Sequence, residues 1–389
     1  MKLNKIKLGD YCDISSGGDK PDTFSEFLTS VNFIPVVSNG IENKGIIGYT
    51  NKCSINEKSI TMAARGSCGY LYYRDYAYYP VIRLLTLIPK NINVLDTRYL
   101  YYLLKMYPYK AIGSVQSQIT VPQLRNHFVY FNENVNVQKK IASLLGLLDE
   151  KIENNNKINS ELESMVKTIY DYWFLQFEFP NEDGKPYKSS GGKMVWSKEL
   201  KREIPEEWEV KKLKDIVYLG NDKKYEGPNV NTIDLSVMPS SSISLNEINE
   251  SKNFDTNLYE MKKYDILFGS IRAYLKKAGI APCDGAVTGT VYSFRCFNKD
   301  DYNFALETLC SDNMFNYACK NSKGSKMPVI GSDRILEYPL AYNNNITKRF
   351  NDISVKEMIA SNVMENQELA SLRDFLLPLL MNGQVVIED

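Results

Sequence analysis

Residues 141–170 have the sequence IASLLGLLDEKIENNNKINSELESMVKTIY, in which apolar residues recur at heptad spacing. The helical pattern around this stretch runs from about residue 137 to residue 177, and it would be ~60 Å long at ~1.5 Å per residue. Its centre is polar, because Asn155 occupies a heptad a position and Asn159 occupies a d position. Such a pattern is typical of a coiled-coil seam, in which a buried asparagine fixes the register at some cost in stability.

A second helical pattern near the end of the sequence carries asparagines at matching positions. Asn362 and Asn366 follow Asn155 and Asn159 by 207 residues. If the two helices are antiparallel, one register pairs Asn155 with Asn366 and Asn159 with Asn362. The same register also pairs apolar residues along both helices, so the sequence predicts that these helices form an antiparallel coiled coil.

The candidate residues of this spacer coiled coil are the paired apolar residues and the four asparagines. They are Leu145, Ile152, Asn155, Asn159, Leu162, Val166, Val355, Ile359, Asn362, Asn366, Leu369 and Leu376. The pairing is imperfect, for example where Leu148 faces Arg373. The alternative is that the asparagines face solvent. Pro378 and Gly383 are expected to close the second helix.

The sequence also contains an internal repeat. Gly113 and Ile119 recur as Gly324 and Ile330, 211 residues later, and each glycine is followed by a serine. Each half has short runs of β-branched and aromatic residues bounded by Gly, Asn and Pro, which predict strands, and each half ends in one of the long helices. A tandem duplication explains this shared order, and a further short helix is expected at 98–107.

Composition and motifs exclude several classes of protein. The 389 residues carry 47 basic and 47 acidic side chains, so the chain is not a wholly basic nucleic-acid binder, although local basic patches stay possible. The seven cysteines form no C-x-x-C pair, which favours reduced thiols over disulfides or a zinc site. The one histidine, His127, lies among alternating apolar residues and is expected to be structural. There is no apolar run of the ~20 residues that a membrane span needs, and the first residues lack the apolar core of a signal peptide.

The common enzyme motifs are also missing from the sequence. It has no phosphate-binding G-x-x-x-x-G-K-[ST] loop, no G-x-G-x-x-G fingerprint, no G-x-S-x-G elbow and no N-P-P-[FY] tetrapeptide. We therefore expect an α+β fold with two similar β-rich domains, separated by a long antiparallel two-helix coiled coil in a pseudo-two-fold tandem repeat. The expected bounds are 1–136 for the first domain, 137–180 for the first helix, 181–203 for a linker, 204–345 for the second domain, and 346–389 for the second helix and the C-terminal tail.

Four segments form a set that can be compared with known families: IPEEWEVKKL at 204–213, DILFGSIR at 265–272, QKKIA at 138–142 and LRDFLLPLLMNG at 372–383. Together they resemble the specificity subunit of type I restriction–modification enzymes. The resemblance covers essentially the whole chain, in the order recognition domain, conserved helix, recognition domain, conserved helix. The first domain departs from the pattern, since it lacks the Pro…Trp lead-in of the second.

The resemblance implies a non-catalytic, cytoplasmic subunit of a phage-defence system. Each target recognition domain would bind double-stranded DNA and read one half of a bipartite, asymmetric target, and the helix pair would set the spacer. The chain would hold no metal or cofactor itself. Two modification subunits, which use S-adenosylmethionine to methylate adenine, and restriction subunits, which use ATP and Mg²⁺, would assemble on it.

The candidate DNA contacts are polar and basic residues of the loops at corresponding places in the two halves. Lys and Arg bind phosphates, whereas Arg, Gln, Ser and Thr also bind base edges. The candidates are Arg65, Ser67, Gln116, Ser117, Gln118, Thr120, Lys223, Lys224, Arg272, Tyr274, Lys276, Lys277, Lys323, Ser325 and Lys326. For each residue the alternative is an ordinary solvated loop.

Two other functions stay open from the residues. The first is a non-DNA adaptor, with two modules that bind protein or glycan on a coiled-coil spacer. The second is an enzyme with an unrecognised site, which the missing motifs disfavour. Salt-dependent binding to a duplex would separate DNA recognition from the adaptor function, because DNA binding releases counterions.

Overall fold

The computed structural model describes residues 3–109, 118–221, 223–245 and 247–387. The chain divides into two compact units. Unit 1 consists of Met1–Glu150 and Ala370–Asp389, and unit 2 consists of Lys151–Leu369. Both units combine helices with β-sheets, so the fold is α+β as the sequence predicts.

Unit 1 contains a four-stranded sheet, a three-stranded sheet and a two-stranded ribbon. Its strands are β1 (Leu3–Lys7), β2 (Cys12–Ser16), β3 (Ile34–Val37), β4 (Ile46–Thr50), β5 (Ser59–Met62), β6 (Leu71–Arg74), β7 (Tyr79–Pro80), β8 (Leu85–Pro89) and β9 (Phe128–Asn132), and its short helices are α1 (Leu8–Tyr11), α2 (Thr97–Met106) and α3 (Val121–Arg125). The sheet orders are β2-β8-β5-β6 and β4-β3-β7, and β1 pairs with β9. Ile60 and Met62 of β5 share a buried core with Leu100 and Leu103 of α2, which is the helix expected at 98–107.

Two long helices contribute residues to both units. They are α4 (Val135–Tyr170), which continues into a π-helical turn at Asp171–Leu175, and α9 (Lys356–Met381). The expectation that Pro378 helps to close the second helix is wrong, because α9 continues past it to Met381. A proline removes only one N–H from the ladder, and only one further turn follows it. The helix is capped at Gly383, whose φ of +69° suits glycine. The cap is a Schellman motif, in which the N–H of Gln384 donates to the carbonyl of Leu379 (2.9 Å) and the N–H of Gly383 donates to the carbonyl of Leu380 (3.1 Å).

Unit 2 repeats the plan of unit 1, with loops of different lengths. Its further strands are β10 (Met194–Ser197), β11 (Arg202–Pro205), β12 (Glu209–Lys212), β13 (Val217–Leu219), β14 (Asn231–Ile233), β15 (Asn249–Glu250), β16 (Leu258–Met261), β17 (Ile266–Gly269), β18 (Ala278–Ile280), β19 (Gly285–Thr288), β20 (Val291–Cys296) and β21 (Pro339–Tyr342), and its helices are α5 (Tyr302–Cys310), α6 (Asp312–Asn321), α7 (Ser332–Leu336) and α8 (Asn344–Asn351). The sheet orders are β13-β20-β17-β18 and β15-β14-β19-β16, and β12 pairs with β21.

The two units have matching strand connections, as the repeat in the sequence predicts. The order β2-β8-β5-β6 in unit 1 corresponds to β13-β20-β17-β18 in unit 2, and the ribbon β1-β9 corresponds to β12-β21. Each unit also has one parallel pair, β3 with β7 and β14 with β19. The loop 63–70, which contains Arg65 and Ser67, therefore connects strands equivalent to those joined by the loop 270–277.

The asparagines of α4 and α9 form the two predicted pairs within unit 2. Asn155 Nδ2 donates to Asn366 Oδ1 (3.0 Å), and Asn362 Nδ2 donates to Asn159 Oδ1 (2.8 Å). Asn155, Asn159 and Asn366 are buried, so the alternative that all four face solvent is wrong.

The apolar seam residues lie on both sides of these pairs. In unit 2, Val166, Val355 and Ile359 share one buried core, against which Leu162 packs. In unit 1, Leu145 shares a second core with Leu380, against which Leu376 packs. The two other candidates, Ile152 and Leu369, are half-buried. Arg373, which the sequence places opposite Leu148, donates from Nη1 to Asp149 Oδ1 at 2.7 Å, so a carboxylate one position away pairs with it.

Part of the range 181–203, which the sequence predicts as a linker, is folded onto unit 2. Strands β10 and β11 form an antiparallel hairpin from 194 to 205. The rings of Phe179 and Tyr187 stack with centroids 4.6 Å apart, and Trp208 lies 5.3 Å from Phe179. These ring contacts hold Tyr187 against Phe179, while most residues of 181–193 stay exposed. In the described part of the chain no helix is both long and apolar enough to cross a membrane.

Candidate nucleic-acid interface

In unit 1, three loops leave the four-stranded sheet at the same end. The strand register places these loops together, because Met62 at the end of β5 pairs with Leu85 at the start of β8 and with Leu71 at the start of β6. Ser16 at the end of β2 also pairs with Leu85. The loop between β5 and β6, which contains Arg65 and Ser67, therefore lies at the end of the sheet where β2 stops and β8 begins.

Hydrogen bonds hold Arg65 and Gln118 together at this end. Arg65 Nη2 donates to Gln118 Oε1 at 3.1 Å, and the N–H of Ile119 donates to the carbonyl of Ala64 at 3.0 Å. Arg65 is exposed, and Ser67 and Thr120 are half-buried. Thr120 precedes α3, and Gln123 Oε1 accepts from both its N–H (2.9 Å) and its hydroxyl (2.7 Å). The structure thus brings together two of the predicted contacts, whereas Gln116 and Ser117 lie outside the described residues.

Unit 2 has the same backbone contact at the corresponding place. The N–H of Ile330 donates to the carbonyl of Ser270 at 2.9 Å, as Ile119 does to Ala64 in unit 1. The N–H of Arg272 donates to the carbonyl of Pro328 at 2.8 Å, and Lys323 pairs with Val329 through two bonds of 2.9 Å. These contacts hold the predicted residues of the loop 270–277 beside those of 323–326. The side chains of Arg272, Tyr274, Lys323, Ser325 and Lys326 are exposed.

Two predicted residues of this loop are engaged within the protein. Lys276 Nζ lies 2.6 Å from Asp312 Oδ1, and this hydrogen bond lowers the pKa of Asp312. Lys277 Nζ donates to the backbone carbonyl of Leu235. Both lysines are half-buried, so they are less available to a phosphate than the exposed residues of the same loop.

Lys223 and Lys224 follow β13 and pair with the edge strand of a different sheet. Lys224 forms a bridge with Tyr259 of β16, and the N–H of Glu260 donates to the carbonyl of Lys223 at 3.0 Å. Both lysines are exposed. Tyr259 lies against Gly289, where an added Cβ would be 3.4 Å from its ring. Gly289 lies in the turn before β20, so these lysines lie near the end of the four-stranded sheet of unit 2 at which β20 begins.

Sequence reasoning missed Asn39, which supports the loop of Arg65. Its Oδ1 accepts from the N–H of Ala64 at 2.8 Å, next to Arg65 in the chain. The signal is present in the sequence, since Ser38-Asn39-Gly40 is a turn-forming run directly after a strand. A turn signal alone does not reveal which distant loop the side chain contacts.

His127 has the structural role that the sequence predicts. Its Nε2 lies 3.0 Å from the carbonyl oxygen of Tyr107, and its ring packs edge-on against Tyr109 with centroids 5.2 Å apart. Within the described residues no group of three or more His, Cys, Asp or Glu side chains is arranged to hold a metal ion.

Unit 2 also contains a cavity of about 660 Å³ between α4, α5 and the start of α6. Lys167 of α4 pairs with Asp171 at 2.6 Å in its wall, and Glu163 accepts from the hydroxyl and N–H of Ser244. Glu307 also lines the cavity and is 5% exposed, and burial raises its pKa to about 8. The wall therefore combines paired charges with one buried carboxyl group.

The comparisons with known proteins identify the family. The family described as "Type I restriction modification DNA specificity domain" matches residues 2–164. The C-terminal part of a putative type I specificity subunit from Mycoplasma pneumoniae is 33% identical over 126 residues, which are 32% of this chain and 84% of that protein. The chain belongs to the type I specificity subunits.

Other relatives agree with this membership. A putative type I specificity subunit of Mycoplasma pneumoniae is 33% identical over 169 residues, 43% of this chain. The chain spans about half of that relative's length, 49%. The crystal structure of a type I restriction–modification S subunit from M. genitalium has a TM-score of 0.58 at 17% identity, and the match covers 98% of this chain and 96% of that one. At this identity the structural match supports the fold alone.

Proposed function

We propose that this specificity subunit reads a bipartite, asymmetric DNA target for a type I restriction–modification complex. The observation that carries the proposal is the repetition of one site. In each unit an exposed arginine, Arg65 or Arg272, lies in the loop between equivalent strands, and the same backbone hydrogen bond holds a second candidate loop beside it. Two related but non-identical sites suit a target with two different half-sites.

In this proposal the two recognition domains comprise 1–136 and 204–345, and the helices of 137–180 and 346–389 set the distance between them. Arg65, Arg272 and the exposed lysines neutralise phosphates, while Gln118, Thr120 and Ser325 bind base edges. Gln116 and Ser117 extend the first site. Buried asparagine pairs between the helices support a fixed register, which a fixed spacer length requires.

The chain acts without catalysis of its own in this scheme. Two modification subunits bind S-adenosylmethionine and methylate adenine, and restriction subunits use ATP and Mg²⁺. The complex works in the cytoplasm on double-stranded DNA, as a defence against phage. Family membership supports this assembly, and the common catalytic motifs are missing from the sequence.

The test is the adenine methylome of a host that carries this chain with its modification partner, compared with the same host after deletion of this chain. We expect a split, asymmetric motif that disappears on deletion. If the methylome stays the same while the partner is shown to be active, this result would contradict the proposal and favour a non-DNA adaptor. Binding of the complex to a target duplex should also weaken steeply with salt, because each neutralised phosphate releases counterions.

A further inference from the structure

The turn at residues 81–84 joins β7 to β8 at the loop end of unit 1 and has an unusual backbone. Both central residues are left-handed, with φ of +54° at Ile82 and +59° at Arg83. The N–H of Leu84 donates to the carbonyl of Val81 at 3.0 Å and closes the turn. Tight turns of this form ordinarily use Asn-Gly or Gly-Gly, because a β-branched residue at positive φ is strained. The chain has isoleucine and arginine instead.

The side chains of this turn do not compensate the strain by packing inside the protein. Ile82 is 58% exposed, and Arg83 is exposed as well. An isoleucine in water contributes little burial to the fold, so the residue types at this turn are not explained by stability. Strained backbone conformations of this kind concentrate at functional sites, where the surrounding structure holds them.

The surrounding structure holds this turn through its backbone. The N–H groups of Ile82 and Arg83 donate to the carbonyls of Gly18 (2.9 Å) and Gly17 (3.0 Å). Gly17 is needed for this approach, because a Cβ there would lie 2.6 Å from the carbonyl carbon of Pro80. The turn is therefore fixed by backbone bonds within the loop end, while both of its central side chains extend into solvent.

Asn39 connects this turn to the candidate DNA contacts. Its Nδ2 donates to the carbonyl of Ile82 at 2.7 Å, while its Oδ1 accepts from the N–H of Ala64 at 2.8 Å. Ala64 in turn precedes Arg65, which bonds Gln118. One asparagine amide thus fixes the 81–84 turn against the loop that carries Arg65, so both present their exposed side chains from one surface of unit 1.

Unit 2 is different at the equivalent place. There, β19 ends at Thr288 and β20 begins at Val291, so only Gly289 and Thr290 lie between the strands. The turn of unit 1 is two residues longer, and it adds an exposed apolar and an exposed cationic side chain. A difference at this point between two otherwise corresponding sites suits a role in distinguishing the two half-sites.

We propose that the 81–84 turn reads base edges in the half-site bound by unit 1. Ile82 packs on the methyl group of a thymine in the major groove, and Arg83 donates to the edge of a guanine. This inference rests on the proposed function. It adds two specificity-determining residues to the site of Arg65 and Gln118.

The experiment uses variants that remove the side chain and relieve the strain at the same time. Ile82→Gly and Arg83→Gly both suit a positive φ, so the Tm of the complex of this chain with its modification partner should stay the same or rise by about 2–4 °C. Affinity for the target duplex should fall roughly 5- to 100-fold for Arg83→Gly, which loses a bidentate pair, and by a smaller factor for Ile82→Gly, which loses an apolar contact. The methylated motif should become degenerate at one or two positions of one half-site with Ile82→Gly.

Matched controls come from the opposite end of the same sheet. Lys58 precedes β5 and Ile92 follows β8, and both are exposed. Lys58→Ala removes one positive charge, and Ile92→Ala removes one exposed apolar side chain. Both controls should leave affinity and motif unchanged.

The outcomes separate this inference from the function on which it rests. If the unaltered complex binds no duplex and deletion of the chain leaves the methylome unchanged, the proposed function fails. If the unaltered complex binds its target and both glycine variants keep its affinity and its motif, the 81–84 turn is not a DNA contact. A loss of affinity together with a lowered Tm in both variants would assign the turn a structural role and would also overturn the inference.

Discussion

Asn155 provides a direct test of the helix pairing, because its side chain is 1% exposed and bonds across to α9. Asn155→Ala removes a neutral hydrogen bond, which contributes about 1 kcal/mol, and leaves Asn366 Oδ1 without this donor in a buried position, which costs about 1–2 kcal/mol more. Asn155 Nδ2 also donates to Glu365 at 2.7 Å, but water can solvate that carboxylate instead. The free energy of unfolding of unit 2 should therefore fall by about 2–3 kcal/mol.

Urea denaturation followed by tryptophan fluorescence measures this change where it occurs. All three tryptophans, Trp173, Trp196 and Trp208, lie in unit 2. Asn154→Ala is the matched control, because Asn154 is the preceding residue of the same type and is exposed. It should change the free energy of unfolding by less than about 0.5 kcal/mol.

The double variant Asn155→Leu with Asn366→Leu tests whether the two asparagines stabilise unit 2 through their interaction with each other. Replacing both partners of a buried polar pair by apolar groups is often neutral or stabilising, so the double variant should recover much of the stability lost in the single variants Asn155→Leu and Asn366→Leu. It should show a coupling energy of about 0.5–3 kcal/mol. Equal effects of Asn155→Ala and Asn154→Ala, or strict additivity in the double variant, would refute the reasoning.

Three further predictions concern the cavity, the second DNA site and the interhelical ion pair. Burial raises the pKa of Glu307 to about 8 from 4.5, so the stability that its protonated form contributes is complete below pH ~4.5 and is lost as pH rises towards 8. A series of urea denaturations from pH 5 to 9 should show this loss, at most about 1.4 kcal/mol per pH unit, and Glu307→Gln should abolish this pH dependence. Arg272→Gly, which suits the φ of +52° at this position, should weaken duplex binding and reduce by about 1 the magnitude of the slope of log affinity against log salt concentration. An unchanged slope would exclude a phosphate contact by Arg272. Asp149→Asn should destabilise unit 1 by about 1–3 kcal/mol in differential scanning calorimetry, because Arg373 loses a partly buried carboxylate partner. Glu161→Gln, at an exposed position of the same helix, should change the stability by less than about 0.5 kcal/mol.

The helices and their register could be predicted from the sequence, and the details of the loops could not. Heptad spacing is a local property of the chain, and four asparagines restrict the antiparallel register to one that satisfies both pairs. The end of α9 was harder to predict, because tertiary packing of Leu380 and Met381 extends the helix past Pro378. Propensity alone does not include that packing.

The candidate site was predictable only in part for a similar reason. Arg65 and Gln118 are 53 residues apart in sequence, and their residue types predict DNA contacts but not the hydrogen bond between them. The 81–84 turn lies inside an apolar run, 81–87, whose residue types favour a strand throughout. Only the backbone conformation shows that the strand begins at Leu85 and that Ile82 and Arg83 lie in a turn at the site.

The division of the chain between the units has a consequence for biosynthesis. Unit 2 is one continuous segment, so all of it has been translated by the time residue 369 is added. Unit 1 needs residues from 370 onward as well, because Leu377, Leu380 and Met381 complete its core beside Leu145. At roughly 5–20 residues per second, the ribosome takes ~10–45 s to progress from residue 150 to residue 370. During that interval the earlier part of unit 1 exposes the apolar surface that these residues later cover, so chaperones that bind nascent chains should associate with residues 1–150 until synthesis reaches the end of α9.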